Sequence, residues 1–267
     1  MAKFTVEFGR PEEREHFINI HVRFFERFDN LQAALYAAFV KVNAPLDKID
    51  IVVLALGNIC VDDFSEILLL CANGFGNGSL KILRGMYEKL VVARYLHIHP
   101  EEVDAFWNFH AVKLSKMQFA DILKKIDPDG KQLDQFKVAP KRGGRKRLQS
   151  SWTKKDFVCM ANEVGLGEHV RNAYYLPLEF AHPSVHSILT KLEAEDGALN
   201  VKDGEPQRDT AEIAFPIAYF LILEVLRLQI EHFGLNSDDP IFQRCIDDYI
   251  YTLCNDTNSF NSKVNSS

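Results

Sequence analysis

Apolar residues along this chain recur at intervals of three and four, the period of a helix with one buried face. From Pro11, with Glu12 and Glu13 suited to a first turn, the positions Phe17, Ile20, Phe24, Phe28, Leu31, Leu35 and Phe39 keep that spacing to about residue 42. Pro45 separates this segment from a nearly apolar one over 46–72, which predicts a central helix. The Asn-Gly-Phe-Gly-Asn-Gly run at 73–78 predicts a turn. A helix over 79–97 follows, with Leu80, Leu83, Tyr87, Val91 and Tyr95 on one stripe. His99-Pro100-Glu101-Glu102 stops it and starts another, whose inner side is expected to carry Val103, Phe106, Trp107, His110, Leu114 and Met117.

Beyond that helix, the interval 127–150 is poor in apolar residues and holds Pro128, Gly130, Pro140 and a Gly143-Gly144 pair, so it reads as a loop. Helices are predicted at 153–165, 168–191, 210–233 and 239–253, with a polar excursion near 193–209 that fits a small hairpin around Lys202-Asp203-Gly204. The expectation is an all-α fold: a single multi-helix bundle over 11–254, an N-terminal arm at 1–10, and an Asn/Ser-rich disordered tail at 255–267.

Composition trims the functional classes. Hydrophobic content of 47% and charged content of 25% are those of an ordinary globular chain of 267 residues. A net charge of −6 argues against a protein that coats nucleic acid with its whole surface, while permitting a local basic patch. The five cysteines are scattered without a Cys-x-x-Cys, which fits a reducing cytoplasm, and Cys60, Cys71 and Cys245 read as small buried hydrophobes. The most apolar run, Ile213 to Leu223, contains Pro216 and is too short to span a bilayer, and the first residues do not read as a secretory signal. The expectation is a soluble cytoplasmic protein with no membrane partner.

Three features carry candidate chemistry. Arg84 and Glu88, spaced i, i+4, project from within the apolar stripe of their helix, where an unpaired charge is costly. They read either as a structural pair or as a guanidinium held by a carboxylate for a phosphate or carboxylate ligand. The second feature is Tyr174 to His186, where Tyr175, His182 and His186 share a stripe with Leu178, Val185 and Leu189. A metal would need further ligands that the sequence does not name, and Pro183 turns His182 out of the helical conformation, so no metal or other cofactor is assigned. An imidazole beside an arginine and a carboxylate does suit acid–base chemistry. The third feature is the acid-free basic segment 137–155, with Lys141, Arg142, Arg145, Lys146 and Arg147 at its heart, which suits contact with phosphates. No Walker loop and no Gly-x-Ser-x-Gly occur, and the Arg94…His99 spacing falls where Pro100 ends the helix.

Leu83-Arg84…Glu88, Tyr95…Pro100-Glu101, Phe106, Trp152 and Tyr175…His182-Pro183-Ser184 together resemble a bacterial all-helical family of unknown function. That family pairs a Leu-Leu-Arg-x-x-x-Glu helix with a downstream Tyr…Ser…His helix. The resemblance covers about residues 45–190, with Leu178 or Glu179 near the place of the family's serine. At the level of fold alone the helices are similar to HEPN domains (higher eukaryotes and prokaryotes nucleotide-binding), many of which are RNA-cleaving toxins. Two classes of function follow. One is a helical interaction or ligand-binding module, in bacterial stress or phage defence, with a partner protein, a second copy of the chain or an anionic small molecule as its partner. The other is a metal-independent enzyme acting on RNA or a nucleotide, with Arg84, Glu88, Tyr175, His182 and His186 converging on one cavity. There Arg84 would hold a phosphate, and His182 or His186 would move the proton.

Overall fold

In the computed structural model, residues 9–40, 46–138, 147–182, 184–189, 191–195, 198–201 and 204–254 are described. Most of the predicted arm and all of the predicted tail lie outside them. The fold is all-α. Its centre is a layer of three long helices, α4 (Lys48–Ala72), α5 (Gly76–Ile98) and α12 (Arg208–His232), which pack on one another more extensively than any other elements. α5 and α12 run parallel. Gly76 abuts Gln207 and Ala211 at one end, and His97 meets His232 at the other. α4 runs against both, with the Cys60 thiol on the Met86 carbonyl and Asp50 on His232.

Sequence explains the closeness. α4 begins at a capping box, in which Asp47 accepts from the Asp50 amide and Asp50 from the Asp47 amide. A Cβ at Gly57 would lie 2.4 Å from the Gln229 amide nitrogen, so glycine is what admits that buried side chain, which donates to the Val53 carbonyl at 3.1 Å. α5 starts at Gly76, three residues earlier than the glycine-rich run suggests, and glycine is what fits there, since a Cβ would lie 2.3 Å from the Gln207 carbonyl oxygen. α12 is the one helix among the described residues long and apolar enough to cross a membrane. More than half of that stretch is buried against the protein, the mark of a core helix. Burial pushes the thiols of Cys60, Cys71 and Cys245 up to about 12, which leaves them as inert packing groups.

The N-terminal helix is not continuous. It divides into α1 (Pro11–Ile20), α2 (Val22–Phe25) and α3 (Phe28–Val40), and His21 at the first break is buried on Phe17 and Phe215 while bonding Glu212. A tertiary contact there overrides helical periodicity. The 168–191 helix is likewise divided. A 3₁₀ turn at Gly167–His169 and a π-helical turn at Val170–Tyr175 lead into α10 (Leu176–Ala181), and α11 (Val185–Leu189) follows the Pro183 position.

The rest of the chain is a satellite. α6 (Val103–Lys116) follows a 3₁₀ turn at Pro100–Glu102, and α7 (Ala120–Ile126) and α8 (Lys131–Asp134) fold back against it. The predicted loop 127–150 therefore contains α8 and a short antiparallel pair, β1 (Lys137–Val138) with β2 (Arg147–Leu148). α9 (Phe157–Glu163) comes next. The polar excursion is a hairpin of β3 (Leu192–Glu195) and β4 (Ala198–Val201) whose register pairs Glu195 with Ala198. Its centre thus precedes Lys202. α13 (Pro240–Cys254) packs on α3.

Candidate functional site

The α5 stripe is buried as its spacing predicts: Leu80, Leu83, Tyr87, Val91 and Tyr95 have no exposed surface. Tyr87 fixes what lies over it. α9 ends at Gly165, whose φ of +77° only glycine adopts readily, and the amides of Gly165 and Leu166 turn back onto the carbonyls of Asn162 and Ala161. The Leu166 carbonyl accepts both the His169 amide at 3.2 Å and the Tyr87 hydroxyl at 2.7 Å, the latter deep enough that burial raises the phenol far above its ordinary range. Phe157 packs edge-on against Tyr87 and stacks on Tyr174 at 4.5 Å.

Arg84 sits on the outer side of that ladder, its guanidinium 4.5 Å above the Tyr174 ring and its Nε donating to Glu88 at 2.8 Å. The Arg84 side chain is 22% exposed and that of Glu88 41%, so the pair lies at the rim of the stripe. Tyr174, which sequence reasoning did not single out, is the aromatic partner. Tyr175 is half exposed and touches Tyr174 edge-on at 5.2 Å. His182 is exposed in an extended conformation at the end of α10, with its amide on the Leu178 carbonyl. Among the described residues, no hydrogen bond or ion pair joins its imidazole to Arg84 or Glu88. The structure thus brings Arg84, Glu88 and the Tyr174–Tyr175 pair together. The His186 side chain lies outside the described residues, as do Lys141, Arg142, Arg145 and Lys146. Arg147 is described, exposed on β2.

The far end of α5 holds two polar constellations that sequence reasoning missed. His232 lies 2.9 Å from Asp50 through Nε2 and 2.9 Å from the Nδ1 of His97 through its own Nδ1. With Nε2–H donating to the carboxylate, His232 accepts from His97, and burial followed by that neighbour pushes His97 below the usual histidine range. One turn away Arg94 engages Glu224 of α12. His99 faces elsewhere, its two ring nitrogens on Glu163 of α9 at 2.6 Å and on Glu101 at 3.1 Å. The Glu163 hydrogen bond, against burial, holds His99 above the usual histidine range. Lys155 also reaches Glu163 and lies 5.0 Å over the Tyr95 ring. Arg94 and His99 therefore serve different helices. Apart from Glu101, the partners of Arg94, His97, His99 and His232 are 64 to 182 residues away in sequence, beyond the reach of any local motif.

α6 is turned differently from its expected orientation. Phe109, Ala111, Val112 and Leu114 face inward, whereas Trp107 and Met117 are about half exposed and His110 is exposed. The reason is a cavity of about 750 Å³ on that side. It is lined by Val92 of α5, by Phe106, Trp107, Phe109, His110 and Lys113 of α6, and by Ile126, Gln132 and Trp152. Trp152 meets Phe106 edge-on at 5.3 Å and Tyr95 at 5.9 Å, and so joins the satellite to the main core. Two of the other cavities, both smaller, have mixed charge. One at the start of α12, about 350 Å³, includes Lys191, Glu205, Arg208 and Asp209. The other, between α12 and α13, is about 440 Å³ and includes Glu224, Arg227 and Glu231. Arg84, Glu88, Tyr175 and His182 line none of the three. Among the described residues no three His, Cys, Asp or Glu side chains are grouped to hold a metal ion.

These features define an all-helical protein whose polar groups gather along one long central helix, beside which lies a hollow walled by aromatic rings. The chain belongs to the family of unknown function DUF5677, whose model matches residues 50–199. That stretch runs from α4 through α5, the α6 cavity and the π-helical turn to the hairpin. No curated protein and no solved structure matches the chain.

Proposed function

We propose that this protein is a ligand-binding helical module whose site is the cavity between α5, α6, α7, α8 and Trp152. The observation that carries this reading is the cavity itself. Its volume falls in the range that holds small molecules, its walls are aromatic, and a few polar groups reach its rim. The alternative, a metal-independent enzyme acting on RNA, draws less support. Arg84 is bonded to Glu88 and stacked on Tyr174, the arrangement of internal scaffolding.

Both tryptophans of the chain line the cavity, so they report on its occupancy. Aromatic fragments screened against the labelled protein should shift the indole N–H resonances of Trp107 and Trp152. Val92→Phe, which fills the floor, should abolish those shifts while the thermal melt stays cooperative. Fragments that bind without moving either indole would overturn the assignment. A mixed RNA pool should stay intact at low salt, and cleavage abolished by His182→Ala would establish the enzyme instead.

A further inference from the structure

Resting on that reading, the charge around the α6 cavity assigns a chemical class to its occupant. We infer that the ligand is a planar aromatic ring carrying an anionic group, with the ring between Trp107, Trp152 and Phe106 and the anion at Lys113 and His110. Of the three cavities, this is the one with no carboxylate in its lining. His110 and Lys113 stand one turn apart on α6, and neither side chain has a hydrogen-bond or ion-pair partner among the described residues.

Several acids on the segments that line the cavity or flank them have partners of their own. Asp127, beside the lining residue Ile126, accepts the amides of Gln132 and Leu133 at 3.0 and 2.9 Å, which spends its charge on the first turn of α8. Glu102 accepts the Tyr95 hydroxyl at 2.7 Å, and Asp104 pairs with Lys48. An unneutralised cation at one mouth is a selective feature in a chain of net charge −6, whose net field repels anions. The walls set the other half of the ligand. Rings of this kind offer faces and edges to a flat π-system, and stacking adds to the area buried. A compact polar anion such as inorganic phosphate would leave those walls bare.

Three probes sharing one ring separate the contributions: 2-naphthamide, 2-naphthoate and 2-naphthyl phosphate, titrated by calorimetry into the full chain. The neutral amide should bind weakly, and one or both anions at least about tenfold more tightly, with the excess shrinking as salt rises. The better anion tells whether the natural group is a carboxylate or a phosphate. Lys113→Gln should bring the anions down to the affinity of the amide and leave the amide unchanged, so the amide serves as the control for an intact cavity. Equal affinity for all three probes in the unsubstituted protein would overturn the anion inference and leave the ligand-binding reading standing. An anion preference that survives Lys113→Gln would overturn it in the same way. If no probe binds, both fall.

Discussion

The three-helix centre and the α6–α8 satellite are made from similar residues and solve opposite problems. In the centre, α4, α5 and α12 approach until glycines at positions 57 and 76 are the residues that fit, and the buried amide of Gln229 finds the Val53 carbonyl. The satellite's own apolar cluster is Phe109, Val112 and Phe136, Trp107 is left half exposed, and a hollow remains with an unmatched lysine, Lys113, in its lining. Dense packing supplies stability and leaves no room for a ligand. Loose packing braced by one tryptophan, Trp152, leaves a space whose walls and charge can select one.

The sharpest way to break this comparison is Gly76→Ala. The new Cβ would meet the Gln207 carbonyl oxygen and the Ala211 amide at 2.3 and 2.4 Å, and backbone cannot swing aside. Such overpacking should cost about 3 kcal/mol, read as a fall in Tm of roughly 6–12 °C. An unchanged melt would mean that α5 and α12 do not start in contact. Phe109→Ala tests the satellite. A phenylalanine buried in a tight core loses about 3–5 kcal/mol on truncation, but here the neighbouring hollow lets Lys113 and Trp107 settle inward, so the loss should stay below about 2 kcal/mol. A larger loss would show that the satellite is as tightly built as the centre.

Arg84→Ala should be smaller still. A partly exposed i, i+4 ion pair and one cation–π contact are together worth about 1 kcal/mol. Probe binding in the α6 cavity should be unaffected, since Arg84 does not line it. Loss of that binding would place Arg84 in the site and revive its reading as a ligand-holding group.

Periodicity made much of this legible. The stripe Leu80 to Tyr95, the apolar α4 and the apolar α12 identify the centre because each buries one continuous face, and a period of 3.6 reports that directly. The i, i+4 spacing of Arg84 and Glu88 likewise foretold their bond. What stayed hidden depends on contacts between distant segments. The break at His21 answers to Glu212 and Phe215, and the Leu166 carbonyl just past the cap at Gly165 answers to Tyr87. The orientation of α6 was misread because Phe106, Trp107, His110 and Met117 look inward by hydropathy, while the helix turns Phe109 and Val112 inward instead. A cavity leaves no periodic trace. The available clue was an excess of aromatic residues over 106–109, more than one helix face could bury.

The smallest expected effect is also the most discriminating, because it sets two histidines two residues apart against each other. His99 is held above its ordinary range by Glu163 and then Glu101, with Lys155 opposing. Its contribution is therefore full below the unfolded-state value and is lost as pH rises through the raised folded one. His97 is held below that range by burial and by His232, with Arg94 acting the same way and Glu231 against it. Its neutral form favours folding, so that contribution is lost as pH falls. The Tm difference between the unsubstituted chain and His99→Gln should accordingly be largest near pH 6 and shrink toward pH 9. For His97→Gln it should shrink as pH drops from about 7.5 to 5.5. Partly exposed pairs of this kind contribute about 1 kcal/mol or less, so each shift should be no more than about 2–4 °C. The signs matter more than the sizes. If both differences move the same way with pH, one imidazole does not occupy the environment described for it, and the split of α5's end into a sealed side facing α12 and a wet side facing α9 fails.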